Sequence, residues 1–371
     1  METKGQKTGD NTLMNMLIAG GGTGGHLFPG IAIAESFLAR DADNKVLFVG
    51  TGRPFEKAVL SEKGFRHESI SAEGLKGRGL KNQFKSMLKL PWGIFESVQI
   101  IRRFRPDMVL GVGGYSAGPV ALAAWFLGIK IVLHEQNILP GITNRILSRF
   151  AGLVCVSLQD TKISLSPEKL RVTGNPVRKE ILEAQSGQRI SDAFTILILG
   201  GSQGATAINT AVAEALPHLG DKNRFFFVHQ TGAEDEARIR EAYEKYGIPC
   251  MIQAFFKDMG RVYGQADMII CRAGATTLAE VTAIGKAVIF IPYPFAADNH
   301  QVLNAQTLTS RDAAEMILQK DLSGKGLAER IEACASEPEA LDKMASRAKQ
   351  LGRPDAAETI VTNCYELINR N

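Results

Sequence analysis

Three glycine clusters give the first sign of chemistry in this chain. Gly20-Gly21-Gly22-Thr23-Gly24-Gly25-His26, Gly111-Val112-Gly113-Gly114-Tyr115-Ser116-Ala117-Gly118 and Gly200-Gly201-Ser202-Gln203-Gly204-Ala205 each follow a short apolar run. A glycine-rich turn from strand to helix brings backbone N–H groups close to an anion, where the helix dipole favours negative charge. A tight βα turn would account for any one of them. Three, each at a strand end, point to a phosphate or a sugar. His26 closes the first cluster, where its imidazole would face a cleft and take a proton from a hydroxyl, help worth about 10²–10⁴ in rate. A histidine bonded to a nearby carbonyl fits the same position. His134-Glu135-Gln136-Asn137 places four polar groups directly after the apolar Ile131–Leu133. Buried polar groups must find partners, so packing explains such a cluster poorly, and Glu135 and Asn137 become site candidates.

The second half carries its own set. Cys271-Arg272-Ala273-Gly274-Ala275-Thr276-Thr277-Leu278-Ala279-Glu280 runs from a strand into a helix. Its Gly-Ala-Thr-Thr turn offers donors to a phosphate, and Glu280 could grip a ribose diol through both carboxylate oxygens. A plain helix cap with a surface glutamate is the simpler alternative. Asp298-Asn299-His300-Gln301 is a further polar cluster, after Pro292-Tyr293-Pro294. Gly20, Gly22 and Gly25 also match G-x-G-x-x-G, which would suggest a dinucleotide oxidoreductase. That motif expects an acid at the end of the second strand, and the strand ends instead in Val49-Gly50-Thr51-Gly52-Arg53. Asp41-Ala42-Asp43 lies in a polar turn away from the cleft and reads as solvated rather than metal-chelating.

The elements that must position these groups alternate between β-rich runs and amphipathic helical segments, the pattern of βαβ units and parallel sheets. Strands are expected at Met14–Ala19, Lys45–Val49, Asp107–Val112 and Lys130–Leu133, with a helix near Pro29–Arg40. The chain then starts again: Phe194–Leu199, a glycine cluster and a helix from Ala205. Strands follow at Phe225–Val228, Met251–Ala254, Met268–Cys271 and Ala287–Ile291. The reading is α/β, two Rossmann-like domains whose parallel sheets face each other across a cleft, since ligands of open α/β sheets bind beyond the strand C-termini. Residues 1–13 form a polar extension, 14–178 the first domain and 179–354 the second. The polar stretch 184–191 is the linker region, and a last helix over 355–371 packs back on the first domain.

At 371 residues the length suits two domains. A net charge of +4 is too mild to imply a nucleic-acid partner. Five scattered cysteines, never in a CxxC pair, fit reduced thiols rather than a disulfide framework or a zinc site. The N-terminus lacks a secretory pattern, and no apolar stretch reaches the roughly 20 residues needed to cross a bilayer.

The segments GGGTGGH, GVGGYSAGP, HEQN, TGNPVR (Thr173 to Arg178), GGSQGA, CRAGATTLAE and DNHQ occur in the order seen in one bacterial family. Over residues 15 to 360 the chain resembles the undecaprenyl-diphospho-muramoylpentapeptide N-acetylglucosaminyltransferases, which make lipid II from lipid I. The resemblance implies a GT-B fold with the UDP-sugar held mainly by the second domain. By position, Ser202 and the turn Ala275, Thr276, Thr277, Leu278, Ala279 and Glu280 would hold the diphosphate and ribose. Phe256 would serve the uracil pocket through its backbone, although a smaller aliphatic residue can stand there. Thr23, Gly24, Gly25, Asn137, Arg178 and Gln301 would complete the donor site, and His300, where the family can have Gln, is given no role. Gly113, Gly114, Tyr115 and His134 would serve the acceptor, and His26 or Glu135 would be the catalytic base. Inverting transfer is implied, with the leaving charge met by helix N-termini and fixed donors and with no metal or cofactor. Another UDP-sugar transferase, such as one acting on diacylglycerol, would share the donor site, and a nucleotide-dependent oxidoreductase or a non-catalytic binder is the remaining alternative.

Residues 76–105 hold eight basic side chains (Lys76, Arg78, Lys81, Lys85, Lys89, Arg102, Arg103, Arg105) and one acid, Glu96. The segment is net +7 and the whole chain +4, which leaves −3 for the remainder. Leu80, Phe84, Met87, Leu88, Leu90, Trp92, Ile94 and Phe95 are interleaved. Cations near an anionic leaflet contribute about 1 kcal/mol each and inserted apolar groups add to that, so the segment suits a peripheral protein on the cytoplasmic face of the cell membrane. An amphipathic helix with its apolar face in the core is the alternative.

Overall fold

A computed structural model describes residues 13–72, 80–183, 191–201 and 203–370, with the side chains of 80–89 outside that description. Ser202, most of the linker, Lys76 and Arg78 therefore lie outside the described residues. The first sheet has seven strands: β1 (Asn15–Gly20), β2 (Lys45–Gly50), β3 (His67–Ser69), β4 (Met108–Gly113), β5 (Lys130–Glu135), β6 (Leu153–Val156) and β7 (Leu170–Val172). They lie in the order β3-β2-β1-β4-β5-β6-β7, and every pairing is parallel. The second has six: β8 (Phe194–Leu199), β9 (Phe225–Gln230), β10 (Cys250–Gln253), β11 (Met268–Cys271), β12 (Ala287–Phe290) and β13 (Glu315–Met316). Their order is β10-β9-β8-β11-β12-β13, again all parallel.

Near-continuous apolar runs explain the parallel arrangement, because such strands bury both faces beneath helices. In β1, Met16 and Ile18 enter one core cluster while Leu17 and Ala19 enter the other. In β8, Ile196 and Ile198 are divided in the same way from Leu197 and Leu199. β3, β6, β7 and β13 are strands of two to four residues that the sequence reading omitted. Runs this short carry too little period-2 signal to stand out from loop.

The helix predicted near Pro29 begins earlier, at Gly24, and holds Pro29 inside it. The last helix, Ala356–Asn369, returns to the first domain. Its Ile360, Val361, Cys364 and Tyr365 share a cluster with Met16, Ile18 and Phe37, the Arg40 guanidinium sits 4.4 Å from the Tyr365 ring centre, and Asn44 Nδ2 donates to the Tyr365 hydroxyl at 2.8 Å. Among the described residues no helix is long and apolar enough to cross a membrane.

Candidate active site

Each sheet reverses its strand order beside its own first strand, between β1 and β4 and between β8 and β11. Open α/β sheets bind ligands at such switch points. The first two glycine clusters leave β1 and β4. The third cluster and the Gly-Ala-Thr-Thr turn leave β8 and β11.

In the first domain the glycines are needed mainly by the protein itself. A Cβ on Gly20 would lie 2.5 Å from the Gly113 carbonyl oxygen, and one on Gly114 would lie 2.6 Å from that of Gly21. Buried Glu56, in the helix Pro54–Glu62, faces the first cluster. It accepts from the N–H groups of Gly22, Thr51 (3.0 Å) and Gly52 (3.0 Å). The anion met by the Gly22 N–H is therefore an internal carboxylate, which corrects the expectation that this donor is free for a ligand.

His26 stands in the helix Gly24–Arg40, its ring against Gly113, where a Cβ would come within 2.7 Å of Nδ1. Nδ1 lies 3.0 Å from the Val112 carbonyl and 3.2 Å from Gln136 Oε1. Both are acceptors, so Nδ1 carries the proton and Nε2 keeps a lone pair. Gln136 Nε2 donates to Val112 O at 2.8 Å and to His134 Nδ1 at 3.1 Å, and His134 Nε2 donates to Gly174 O at 3.2 Å. One polarity runs through the whole series and leaves both rings neutral. Burial pushes the His134 pKa down to about 4. It also lowers that of His26, opposed in part by the nearby Glu135 carboxylate. His134, expected on the acceptor side, is fully buried and reaches His26 through Gln136.

Glu135 is 2% exposed and holds its own loop. Oε1 accepts from Asn137 N at 2.9 Å, and Oε2 accepts from Gly141 N at 3.1 Å and Asn144 Nδ2 at 2.8 Å. Tyr115, by contrast, is exposed.

The helix Ala275–Ile284 points its N-terminus at the first domain. Its first intrahelical acceptor, Gly274 O, is taken by Leu278 N, so the N–H groups of Ala275, Thr276 and Thr277 have no helical partner. Thr276 Oγ1 donates to Gly25 O at 3.3 Å. Glu280 is buried: Oε1 takes Arg178 Nε (3.1 Å) and Nη2 (2.8 Å), and Oε2 takes the Tyr263 hydroxyl (2.8 Å). The Arg178 guanidinium also lies 4.6 Å from the Phe28 ring centre, on the first domain's leading helix. Gln301 Oε1 accepts from Tyr293 N at 2.9 Å. Asn304, fully buried in the helix His300–Thr309, crosses to the first domain, where Oδ1 accepts from Ile138 N and Nδ2 donates to Asn137 Oδ1, both at 3.2 Å. Loops from both sheets thus meet with a histidine lone pair, free helix N–H groups and a diol-sized carboxylate, an arrangement suited to moving a sugar off a phosphate.

Residues 16–156 match the glycosyltransferase family 28 N-terminal domain, and residues 195–360 match its C-terminal domain. A protein of Citrifermentans bemidjiense named UDP-N-acetylglucosamine--N-acetylmuramyl-(pentapeptide) pyrophosphoryl-undecaprenol N-acetylglucosamine transferase is 48% identical over 352 residues, 94% of this chain and 98% of the relative. A Myxococcus xanthus protein of the same name is 42% identical over 358 residues, 96% of this chain and 94% of the relative. The chain belongs to this family of N-acetylglucosamine transferases. The crystal structure of Acinetobacter baumannii MurG superposes with a TM-score of 0.76 at 31% identity, covering 95% of this chain and 99% of that one. The calicheamicin glycosyltransferase CalG4 shares the fold, with a TM-score of 0.71 at 14% identity and coverage of 96% and 99%.

In this family 28 member the expected donor residues divide by helix face. Ala275, Leu278 and Ala279, together with Thr282, which was not among the expected residues, are spaced i, i+3, i+4, i+7 and line a cavity of about 390 Å³ with Gln136 and Asn175. Thr276 and Glu280 make the contacts with Gly25 and Arg178. The Phe256 side chain is buried in the second core, and its N–H already donates to Gln230 Oε1 at 3.0 Å. Glu56, Gln230, Tyr263 and Asn304 were missing from the sequence reading, and Gln136 was named there only as a member of HEQN, with no role of its own. No local signal marks the other four.

Proposed function

We propose that this family 28 enzyme transfers N-acetylglucosamine from UDP-N-acetylglucosamine to the C4 hydroxyl of the muramyl sugar of undecaprenyl-linked muramyl-pentapeptide, with inversion. The observation that carries the reading is the His26 tautomer. With Nδ1–H fixed on Val112 O, Nε2 is the group able to accept the hydroxyl proton. The hydroxyl oxygen then forms the new bond to the anomeric carbon as the bond to the diphosphate breaks, and UDP leaves with the electron pair. The free N–H groups of Ala275, Thr276 and Thr277 stand where that negative charge develops. Glu135, with both oxygens committed to its loop, holds Asn137 rather than serving as base.

Residues 14–178 would take the acceptor and 179–354 the donor. Thr23, Gly24, Gly25, Asn137, Arg178, Ser202, Phe256, Gln301 and the helix N-terminus would surround UDP-N-acetylglucosamine. Glu280 accepts three hydrogen bonds here, so a ribose diol would use its remaining lone pairs or displace the Arg178 fork.

The acceptor's lipid calls for a membrane-facing surface. Trp92 and Phe95 in the helix Leu80–Phe104, Trp125 and Phe126 in Ala117–Phe126, and Ile142 and Ile146 in Ile142–Leu147 are exposed on three helices packed side by side. Arg102, Arg103, Arg145 and Arg149 are exposed on or beside the same helices. Apolar insertion flanked by cations fits the cytoplasmic face of an anionic membrane.

The test mixes the protein with UDP-N-acetylglucosamine and a short-chain lipid I analogue, with and without EDTA. Disaccharide product with a β linkage to C4, and UDP in equal amount, is expected in both. UDP binding without product would remove the lipid I assignment and turn attention to acceptors such as diacylglycerol. Co-flotation with phosphatidylglycerol vesicles should fall in a Trp125→Ala/Phe126→Ala double variant, and unchanged flotation would remove the membrane surface from these helices.

A further inference from the structure

Glu56, in the first turn of the helix Pro54–Glu62, is 3% exposed and divides its carboxylate between two parts of the chain. Oε2 accepts from the N–H groups of Thr51 (3.0 Å), Gly52 (3.0 Å) and Arg53 (3.3 Å), the turn that opens its own helix. Oε1 accepts from the Thr51 hydroxyl at 3.2 Å and from the Gly22 N–H, 34 residues away in the first glycine cluster. Arg53 Nη1 grips the same residue by donating to the Gly22 carbonyl at 3.0 Å. Backbone closes on both oxygens. A Cβ on Gly21 would lie 2.6 Å from Oε1, and one on Gly50 would lie 2.7 Å from Oε2. Capping of its own helix accounts for the Oε2 bonds, but not for the bond to Gly22.

The first glycine cluster is in turn locked to the second, Gly20 against the Gly113 carbonyl and Gly114 against Gly21. Gly113 walls the His26 ring, and the neighbouring Val112 carbonyl holds its Nδ1. We infer that Glu56 is a positioning residue, a built-in anion that pins the first glycine loop against the second and thereby aims the His26 ring at the acceptor hydroxyl. The inference rests on the reading of His26 as base. Glu56 acts through backbone, from Gly22 and Gly21 to Gly114 and Gly113, and so to the ring.

Glutamine separates the two tasks of the carboxylate. Its single oxygen is claimed by the three N–H groups of Thr51, Gly52 and Arg53, which turns its NH2 toward the Gly22 N–H, donor against donor. In Glu56→Gln the helix cap therefore survives while the loop is pushed away. The KM for a short-chain lipid I analogue should rise and kcat/KM fall about tenfold, the worth of one buried hydrogen bond to a charged group. The Kd for UDP, which the second domain would hold, should stay within about twofold. The acid-side inflection should move to lower pH, because the bond to the Val112 carbonyl favours the protonated ring and loosens with the loop. Glu135 and His300, the other titratable groups that act on this ring, stay in place. Partial misfolding would lower kcat and move neither the acceptor KM nor the inflection.

A folded Glu56→Gln protein with the wild-type acceptor KM and inflection would overturn the inference and leave His26 as base. A wild-type protein that forms no disaccharide would instead overturn the reading beneath it. Arg53→Met covers the case in which the Glu56 variant does not fold. Arg53 is exposed, and its loss removes the second grip on Gly22, so the acceptor KM should rise in the same direction by a smaller factor. An unchanged KM there would refute the pinning of the loop.

Discussion

Thr276 of the second domain donates its hydroxyl to the carbonyl of Gly25 in the first, at 3.3 Å. The acceptor is free for a reason written in the sequence. In an α-helix the Gly25 carbonyl would bond to the N–H of residue 29, and residue 29 is proline, which has none. An irregularity in the first helix thereby supplies an acceptor to the facing domain. Thr276→Val should raise the KM for the sugar nucleotide about fivefold, the worth of one hydrogen bond of about 1 kcal/mol, while Thr276→Ser should stay near the wild type. Steady-state kinetics with varied donor decide this, and equal KM values for Val and Ser would dismiss the contact.

With His26 as the proposed base, its ring should set the acid side of the activity profile. Burial holds its pKa below 6.5 despite the neighbouring Glu135, so the ring is neutral and able to accept a proton at pH 7. Turnover should fall as the pH drops through that lowered value, with an inflection below 6.5. His26→Ala should reduce kcat about 10²–10⁴-fold with little change in donor KM. Gln136→Leu, which removes the amide from the series behind the ring, should move the inflection. A profile identical to the wild type in that variant would separate Gln136 from the base.

Much of the architecture was legible because both sheets are parallel and their strands are apolar throughout, from Met16–Ala19 to Val288–Phe290. The motifs were legible because Gly20, Gly113 and Gly204 adopt positive φ angles that favour glycine. The partners of those motifs were not. Glu56 lies 34 residues from Gly22 and Asn304 lies 166 from Ile138, and nothing local in PFEKAVLSE or HQVLNAQTLT marks them. The purpose of the first glycines was also hidden, since a gap made for Glu56 and a gap made for phosphate look alike in sequence.

Tyr263 gives a cleaner probe of Glu280 than Glu280 itself. Removing either member of the buried pair Arg178–Glu280, whose side chains are 13% and 4% exposed, strands a charge and costs about 3–5 kcal/mol. Tyr263→Phe deletes only the hydroxyl that donates to Oε2 at 2.8 Å. The carboxylate is then less firmly aimed, and donor KM should rise severalfold at nearly constant kcat. Glu280→Ala should raise it far more, with a lower thermal midpoint. If UDP binds equally well to the wild type and Tyr263→Phe, the carboxylate's orientation is irrelevant to the nucleotide.

Two buried histidines make the fold acid-sensitive as the pH falls below about 6.5. Burial holds His134 at about 4 and His229 at about 3. His229 is locked by Asn209 Oδ1 at 3.0 Å and the Tyr243 hydroxyl at 3.2 Å. An unfolded histidine takes its proton near 6.5, so from there down to about 4 the unfolded chain binds more protons than the folded one. Stability is therefore fully present above 6.5 and falls as the pH falls, by up to about 1.4 kcal/mol per pH unit for each ring. Urea midpoints measured from pH 7.5 to 4.5 should decline across that window. His229→Asn removes one titrating ring, and its decline should be shallower even though its stability at neutral pH is lower. Parallel curves for the two proteins would show that His229 does not drive the acid sensitivity.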